Sequence, residues 1–288
     1  MSEWFVHHKI FRELEVRFTL ETLSSIRIGS TKSKSFLSPI DLQVLRINLN
    51  GKDIPYIPGS SLKGVFRSNC ESIIRNFNKR SCMMGSCADE ENTNGIKRDK
   101  ALQHYIKAND IPKIIDTLST YCLTCKLFGS KTYGSHILFN DAYPIDINNA
   151  TIGVKTGIAI NRRSGTAQKG ALYTIEFVNP NIKFNFGITL INIPNYAIGL
   201  ISNIIDMIND GFIKIGGFKS RGFGRVRLTI DSINGIFYTP KGIKYLKEVD
   251  KLDALDQYDE DITLEHQKPD SLLIKSKKVW NDYVNKSI

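Results

Sequence analysis

The sequence predicts an α+β fold, because strand-like and helix-like hydrophobic patterns follow one another in the order strand, helix, two strands, helix, strand. In residues 11–20 apolar and polar side chains alternate, which is typical of a half-buried strand, and later segments repeat this period. In residues 62–77 and 197–208 apolar side chains recur about every 3.6 residues, which predicts two amphipathic helices. This order of elements is that of the ferredoxin-like or RRM-like fold.

The composition indicates a globular protein with a sizeable core and an excess of positive charge. With 288 residues and 41% hydrophobic content, the chain can form one large domain with insertions or two small ones. A net charge of +10 and a pI near 9.3 favour a polyanionic partner. No apolar run has the length of a membrane span and residues 1–4 do not resemble a signal peptide, so we expect a cytoplasmic protein with no membrane partner.

The segment after the first strand combines a long loop with a hairpin. Residues 30–38 are polar, rich in lysine and serine and without periodicity, which predicts a long, mobile loop that Pro39 closes. Asp41 follows at the end of this loop. Two strand-like runs flank Asn50 and Gly51, the usual signal of a two-residue hairpin turn.

The start of the first predicted helix is a candidate anion site. Ser60 or Ser61 can cap this helix, and its first backbone N–H groups have no partner within the helix. Lys63 and Arg67 lie one turn apart on the same face. Together these groups predict contacts with phosphates, although the two cations are equally compatible with a solvated polar face.

Residues 79–126 are predicted to be an insertion that binds zinc. The segment is polar and contains four of the five cysteines, arranged as two short-spaced pairs. Two such pairs complete the closed tetrahedral ligand set of a structural zinc site, whereas a catalytic zinc needs an open position. Unrelated free thiols are the alternative. The predicted zinc ligands are Cys82, Cys87, Cys122 and Cys125.

The surroundings of these cysteine pairs carry three further predictions. A helix is expected over residues 102–118, between the two pairs. Cys70 falls in the apolar stripe of the first helix and is predicted to be a core residue. His104 is a candidate substitute ligand.

Residues 151–170 form a segment rich in glycine and cations, which we predict to be a protruding hairpin. Arg162 and Arg163 lie in this segment. After it, alternating residues in 173–177 and 182–190 predict paired strands. The aromatic side chains of these strands could stack on bases, but inward-facing strand aromatics more often belong to the core.

The segment between the second helix and the last strand, residues 215–226, is the strongest candidate binding site and is called the glycine loop below. It contains four glycines, three cations and two aromatic residues. Glycine permits positive φ and close approach of backbone N–H groups to a ligand, and the cations favour an anionic ligand such as a phosphate. The pattern matches neither a nucleotide P-loop nor a dinucleotide fingerprint, so RNA fits better. A glycine-rich turn with solvated charges is the alternative.

Three segments thus supply the candidate RNA-binding residues, namely the helix start, the hairpin and the glycine loop. Such contacts would be made mainly to the sugar-phosphate backbone, which carries no sequence information. The candidates are Ser60, Ser61, Lys63, Arg67, Arg162, Arg163, Gly217, Lys219, Ser220, Arg221 and Gly222.

The chain beyond Pro240 differs in composition from the rest. It is acidic over residues 248–261 and then carries several lysines, which predicts a helix and a flexible end without a chemical role. We therefore expect a core of residues 1–240, with the insertions 79–126 and 151–170, and a C-terminal extension of residues 241–288.

Four motifs, in the same order along the chain, resemble the RAMP superfamily of CRISPR proteins. More narrowly, they are similar to those of the repeated backbone subunit of type III (Csm/Cmr) effector complexes. Together they span most of the first 230 residues, and four in order are far more specific than one. The motifs are IPGSSLKG at 57–64, CLTCKLFG at 122–129, INRRSGTA at 160–167 and GGFKSRGFGRV at 216–226.

The resemblance implies an RRM-like body with a zinc-bearing lid and a thumb hairpin. In that family the subunits stack, with copies of themselves and other subunits, along a guide RNA. The thumb of each subunit inserts into the duplex of guide and target RNA at regular intervals and flips a base pair. An aspartate after the first strand then supports cutting of the target RNA with Mg²⁺ or another divalent cation.

Asp41 is the residue that matches the family's aspartate. It stands a few residues before Val44, Leu45 and Arg46, as the family's pattern of valine, aliphatic residue and cation requires. The chain departs from the pattern at two positions: Gln43 stands where the family usually has a proline, and Ile47 stands where an acidic or amide residue usually follows the cation. Without the resemblance, Asp41 reads as the polar end of a loop.

Three functions are compatible with these features. The leading hypothesis is a subunit of an RNA-guided endoribonuclease, and the second is a non-catalytic RNA-binding scaffold of the same fold. A guide-processing ribonuclease of the same superfamily is the third. It predicts a histidine-centred site, for which His7 and His8 are the candidates, and it leaves the cysteine pairs unexplained.

Overall fold

One antiparallel sheet organises the chain. The computed structural model describes residues 3–29, 40–49, 51–82, 86–92, 94–168, 170–265 and 268–286, so the loop predicted over 30–38 and Asn50 of the predicted turn lie outside the described residues. In chain order the elements are β1 (Arg12–Thr22), β2 (Arg46–Leu49), β3 (Lys52–Pro55), α1 (Gly59–Asn76), α2 (Arg98–Lys107), α3 (Ile111–Ser119), α4 (Leu123–Phe128), β4 (Ile137–Phe139), β5 (Tyr143–Pro144), β6 (Ile152–Gly157), β7 (Tyr173–Val178), β8 (Lys183–Ile191), α5 (Asn195–Asn209), β9 (Val226–Thr239), β10 (Gly242–Leu246), β11 (Lys251–Leu252), β12 (Ile262–Thr263) and α6 (Ser271–Lys286).

Strand β1 is central in this sheet, whose strands follow the order β10, β9, β1, β8, β4. Val16 of β1 faces Ile188 of β8 on one side and Ile233 of β9 on the other, and both pairings are antiparallel. The predicted succession of strand, helix, two strands, helix and strand corresponds to β1, α1, β4, β8, α5 and β9. The α+β class is therefore confirmed.

The two faces of the sheet differ in burial, as the alternation in β1 predicts. Its even-numbered residues from Leu14 to Leu20 are buried in one core cluster with Phe66 of α1 and Ile205 of α5. Odd-numbered residues such as Glu13 and Glu15 lie on the other face and are half-buried. The helices therefore cover one face of the sheet. Phe184 and Phe186 of β8 belong to the core, as expected for inward-facing aromatics.

The first helix is not capped by Ser60 or Ser61, which corrects the predicted cap. The N-cap residue is Pro58, and no side chain of the helix start caps it. Instead, the Gly59 N–H donates to Asp141 Oδ1 at 2.7 Å. A Cβ at Gly59 would lie 2.2 Å from the Phe139 carbonyl oxygen, so only glycine permits this approach of the helix to the chain after β4.

The helix predicted over residues 102–118 is in fact two helices, α2 and α3. The chain turns at Asn109, which has a positive φ of 52°. Asp110 then caps α3, accepting a hydrogen bond from the Lys113 N–H at 3.3 Å. Pro112 stands in the first turn of α3, where a residue without an N–H is tolerated. The positive φ at Asn109 and the cap at Asp110 end one helix and begin another, although the apolar side chains keep a helical period across the turn.

A hairpin is present, but it pairs β6 with β7 and so extends beyond the predicted residues 151–170, and β7 does not pair with β8 as expected. Residues from Ile152, opposite Val178, to Gly157, opposite Tyr173, form an antiparallel ladder. The chain reverses at Asn181, whose φ is 63° and whose N–H donates to the Thr22 carbonyl oxygen at the end of β1. The reversal directs β8 into the main sheet and leaves β7 with the hairpin.

The segment predicted to be a C-terminal extension lies against the core. β10 adds a strand to the sheet, and α6 packs on α5. Trp280 of α6 is 1% exposed. A Cβ at Gly199 of α5 would lie 2.1 Å from the Ser276 carbonyl oxygen, so the two helices touch at a glycine. None of the helices in the described ranges is long and apolar enough to cross a membrane.

Replacing Gly199 with alanine should lower the free energy of unfolding by about 1–3 kcal/mol, because the added methyl group overlaps the backbone of α6. The measurement is denaturant unfolding followed by circular dichroism. Gly64 in α1 is the matched control, since a Cβ there would have no atom within 4 Å, so that G64A should be neutral or stabilise by up to about 1 kcal/mol. Equal unfolding midpoints for G199A and the wild type would contradict the packing of α6 on α5.

Candidate functional site

Part of the glycine loop serves the protein's own packing and part is open. Gly216 has a φ of 90°, and a Cβ there would lie 2.5 Å from the Arg27 carbonyl oxygen. The Gly217 N–H donates to that same oxygen at 2.8 Å. Gly222, by contrast, has a φ of 87° and no atom within 4 Å of its Cβ position. The loop is thus anchored on the chain after β1, whereas the Cβ position of Gly222 is open.

The glycine loop and helix α1 face each other across a cleft of about 400 Å³. Ser61 lines it from α1, Gly217 and Lys219 line it from the glycine loop, and Arg27 lines it from the chain after β1. Two of the segments predicted from the sequence to contact phosphate therefore meet on one surface. Arg27 was not among the sequence candidates; the signal for it was a cation followed closely by a glycine in the chain after β1.

The two predicted cations of α1 have different environments. Arg67 Nε lies 3.1 Å from Glu71 Oε1, and Arg67 Nη1 donates to the Gly129 carbonyl oxygen at 3.2 Å. Burial, and then the charge of Arg67, lower the pKa of Lys63. No ion pair joins Lys63 to another described residue within the ranges given above. An anion at this helix start would therefore gain more from Lys63 than from Arg67.

Arg221 joins the glycine loop to the hairpin. Its Nη1 donates to the hydroxyl of Tyr173, the first residue of β7, at 2.7 Å. The guanidinium groups of Arg221 and Arg27 lie 5.3 and 5.6 Å from the centre of the Phe218 ring. The cation–π contacts hold both guanidinium groups beside Phe218, and the hydrogen bond ties Arg221 to the hairpin.

Asp41 lies beside the first residues of β7. Its N–H donates to the Thr174 carbonyl oxygen at 3.1 Å, and its Oδ2 accepts from the Thr174 N–H at 2.8 Å. Its neighbour Leu42 forms a parallel bridge with Ile175. Residues 41–46, called the Asp41 segment below, therefore run along the hairpin, and Asp41 lies where β7 meets the loop of residues 158–172.

Arg162 and Arg163 lie at the exposed tip of the hairpin. The Asn161 side chain orders this tip, because its Oδ1 accepts from the Arg163 N–H at 2.9 Å. Ile158 and Ile160 beside them are 53% and 60% exposed. The tip thus presents cations together with apolar side chains and does not line the cleft between α1 and the glycine loop.

The four predicted zinc ligands lie together. The sulfur atoms of Cys82, Cys87, Cys122 and Cys125 are all within 4.8 Å of one another. Cys82 Sγ lies 3.5, 3.8 and 3.7 Å from the other three sulfur atoms. A tetrahedral site with a zinc–sulfur distance of about 2.3 Å places its ligands about 3.8 Å apart, whereas a disulfide needs about 2.0 Å. The spacing fits a metal ion and not a disulfide.

Backbone hydrogen bonds to the sulfur atoms of the cluster favour thiolates and thus a bound cation. The Cys87 N–H donates to Cys125 Sγ at 3.4 Å, and the Cys122 N–H donates to Cys87 Sγ at 3.3 Å. Burial raises the pKa of Cys82 to about 12, whereas the hydrogen bond with Cys125 lowers the pKa of Cys122. A zinc ion would stabilise all four as thiolates. The cluster can hold a metal ion.

The other two candidates for this site take no part in it. Cys70 is fully buried in the main core, as predicted from its place in the apolar stripe of α1. His104 is an exposed residue of α2 and is not among the clustered ligands. The closed cluster of sulfur atoms around which Leu102, Leu118 and Tyr121 pack has the character of a structural site.

These features define an α+β protein with an antiparallel sheet, a cysteine cluster able to hold a metal ion and a cationic cleft built by a glycine-rich loop. The sequence model of the RAMP superfamily matches residues 19–227, from within β1 to the start of β9. The chain therefore belongs to the RAMP superfamily, which makes it a CRISPR-associated RNA-binding protein. Proteins of this superfamily bind CRISPR RNA and act in multi-subunit complexes. No curated protein sequence matches the chain.

The protein purified from a zinc-containing medium should carry about one zinc per chain, bound by the four cysteines. Replacing Cys125 with serine should remove the metal and lower the thermal midpoint, because the second, smaller core around the cluster loses its cross-link. Elemental analysis and thermal unfolding are the measurements. C70S is the matched control, since it changes a buried cysteine outside the cluster and should keep the zinc. A full zinc content in C125S would contradict the site.

Proposed function

We propose that this chain is a backbone subunit of a type III (Csm/Cmr-type) CRISPR effector complex that binds guide RNA and cuts the paired target RNA. One observation carries the proposal. Asp41 is hydrogen-bonded to Thr174 at the start of β7, so the candidate carboxylate and the candidate thumb are adjacent although they are far apart in the sequence. Arg221 connects the glycine loop to the same hairpin.

The guide RNA would run through the cleft between α1 and the glycine loop. Lys219 supplies positive charge in the cleft, and Lys63 adds positive charge from the same helix start. The open position at Gly222 would let a phosphate approach the glycine loop. Ser60, Ser61, Ser220 and Arg67 are close by in the chain and would add polar contacts. Such contacts recognise the RNA backbone and explain how one subunit accepts any guide sequence.

The hairpin β6–β7 would act as the thumb. Its tip carries Arg162 and Arg163 beside exposed aliphatic side chains, and Leu172 at its return is 66% exposed. Apolar side chains can enter a duplex between base steps, while the arginines contact the phosphates on either side. The position of Asp41 next to β7 would then bring the carboxylate close to the nucleotide that the thumb displaces.

Cutting would proceed by attack of a ribose 2′-hydroxyl on the adjacent phosphate. The bond from phosphorus to the 5′-oxygen of the next nucleotide breaks, this oxygen takes up a proton, and the products end in a 2′,3′-cyclic phosphate and a 5′-hydroxyl. A displaced nucleotide can adopt the in-line geometry that this reaction needs. Asp41 would take the proton from the hydroxyl or hold a Mg²⁺ or other divalent cation, which lowers the pKa of a bound oxygen and stabilises charge on the phosphate. Thr174 fixes the orientation of the carboxylate through its N–H.

A zinc ion held by the cysteine cluster would have a structural role. It would tie α4 and the residues around Cys82 and Cys87 to one point. That point lies beside a second cleft, which Arg67 and Lys131 line and which is distinct from the cleft between α1 and the glycine loop. Closed cysteine sites of this type stabilise small segments that have little core of their own.

A non-catalytic scaffold remains the second candidate because of the contacts of Asp41. An aspartate whose side chain accepts from a neighbouring N–H is also a common loop end, and Gln43 and Ile47 depart from the family's pattern. A guide-processing enzyme has less support. His7 stacks on His136 at 4.1 Å, and burial, together with His7, lowers the pKa of His136 to about 4. The His136 ring is fully buried, and the exposed His7 ring stacks on it, with its Nε2 3.2 Å from the Gly134 carbonyl oxygen.

Replacing Asp41 with asparagine should reduce target cutting by about 100-fold or more, because the amide is neither a base nor a good ligand for a divalent cation. Asparagine can still accept from the Thr174 N–H, so guide binding should persist. The measurement is the product ladder from end-labelled target RNA incubated with the assembled complex and Mg²⁺. D53N, in the hairpin β2–β3, is the control and should cut normally. Cutting by D41N at the wild-type rate would leave the scaffold as the better explanation.

Replacing Lys219 or Lys63 with alanine should weaken guide RNA binding for every sequence. Each change should also reduce the slope of log affinity against log salt concentration by about one, since each removes one phosphate contact. K244A removes the same charge from β10, which pairs with the far end of β9, and should leave binding unchanged. If K244A lowers affinity as much as K219A, net charge and not the cleft determines binding.

A further inference from the structure

We propose that Glu176 is a positioning residue that fixes the Asp41 segment against the hairpin and so sets where Asp41 lies relative to the displaced nucleotide. This inference rests on the proposed role of Asp41. Glu176 is the fourth residue of β7 and lies two residues after Thr174, which binds Asp41 itself. It was not a candidate in the sequence, where it reads as the polar position of an alternating strand.

The Glu176 carboxylate is buried and both of its oxygens are occupied. Its side chain is 5% exposed. Oε1 lies 2.8 Å from Arg46 Nη2, and Oε2 accepts from the Val44 N–H at 3.0 Å. A carboxylate with this exposure and these partners does not bind a substrate or a metal ion. It acts through the two residues that it holds.

Contacts on consecutive residues hold the Asp41 segment in place. The Glu176 N–H donates to the Leu42 carbonyl oxygen at 3.0 Å. Arg27 Nη2 reaches the Gln43 carbonyl oxygen at 3.4 Å, and the Leu45 N–H donates to Ile28 at 2.9 Å. Glu176 thus contributes one backbone bond and two side-chain contacts within five residues of Asp41. The segment is held at both edges, between the hairpin and the chain after β1.

The cost of burying this charge supports a specific role. A carboxylate taken out of water is unfavourable unless cations and hydrogen-bond donors compensate it, and an apolar residue would fill the space without that cost. Here Arg46 and the Val44 N–H compensate it directly, and the charge of Glu176 partly offsets the effect of burial on the pKa of Arg27. These contacts of Glu176 with Arg46 and the Val44 N–H are satisfied in one arrangement of the Asp41 segment, as buried polar networks specify one geometry.

Glutamine at position 176 is a sharp test because it nearly preserves the shape of the side chain. Both glutamate oxygens face donors, so an amide must turn its NH₂ group toward either Arg46 or the Val44 N–H and lose one of the two contacts. We expect target cutting by the E176Q complex to slow by about 10- to 100-fold at saturating target, with little change in the target concentration for half-maximal rate. Hydrogen exchange of residues 41–46 should become faster.

Arginine 46 provides a second variant in case E176Q fails to assemble. Its side chain is 31% exposed, so R46Q removes the partner of Glu176 from a less buried position. R46Q should slow cutting and R46K, which keeps the charge, should restore most of it. D206N is the matched control, since it removes the carboxylate that pairs with Lys277 between α5 and α6 and should cut normally.

Three outcomes decide the matter. Slower cutting by E176Q and R46Q, with guide RNA and zinc retained and exchange faster only in residues 41–46, supports the positioning role. Cutting by E176Q at the wild-type rate, or an equal loss in D206N, overturns it. Normal cutting by D41N overturns the proposed function instead, and the two failures are distinguishable because D41N leaves the contacts of Glu176 intact.

Discussion

The antiparallel pairing of β1 with β9 is the constraint on which the candidate site depends. In this register Thr22, at the end of β1, lies opposite Val226, at the beginning of β9. The chain that follows β1 and the glycine loop that precedes β9 must therefore meet at one end of the sheet, although about 200 residues of sequence separate them. Gly216 allows the two backbones to approach at Arg27, and the Gly224 N–H donates to the Ser25 carbonyl oxygen at 2.8 Å. The cleft toward α1 is a consequence of this register.

The hairpin β6–β7 adds the second half of the site. Tyr173 receives Arg221 from the glycine loop, Thr174 binds Asp41, and Glu176 holds Val44 and Arg46. One short strand thus contacts the glycine loop and the Asp41 segment together. If the hairpin enters the duplex of guide and target, Asp41 would move with it, because Asp41 is bonded to Thr174 of β7. The distance that the hairpin inserts would then determine where Asp41 lies along the target strand. Binding and cutting would then share one rigid element.

The remaining parts of the chain stabilise this arrangement from outside. The cysteine cluster and its small core hold the segment between α1 and β4, where few large apolar residues are available. Helix α6 covers α5 and buries Trp280, so the C-terminal residues complete the main core. The matched region of the superfamily ends at residue 227, so these later residues lie outside it.

The sequence by itself determined the class of the fold, the core faces of β1, α1 and α5, the cysteine ligands and the glycine loop, because hydrophobic period, ligand spacing and glycine content are local properties. It did not determine the partner of β7, the break between α2 and α3 or the capping of α1 by Asp141, since each depends on a positive φ or on a residue distant in the chain. The roles of Arg27 and Glu176 were also invisible. Only tertiary contacts decide that a charged residue in an alternating strand is buried against two donors.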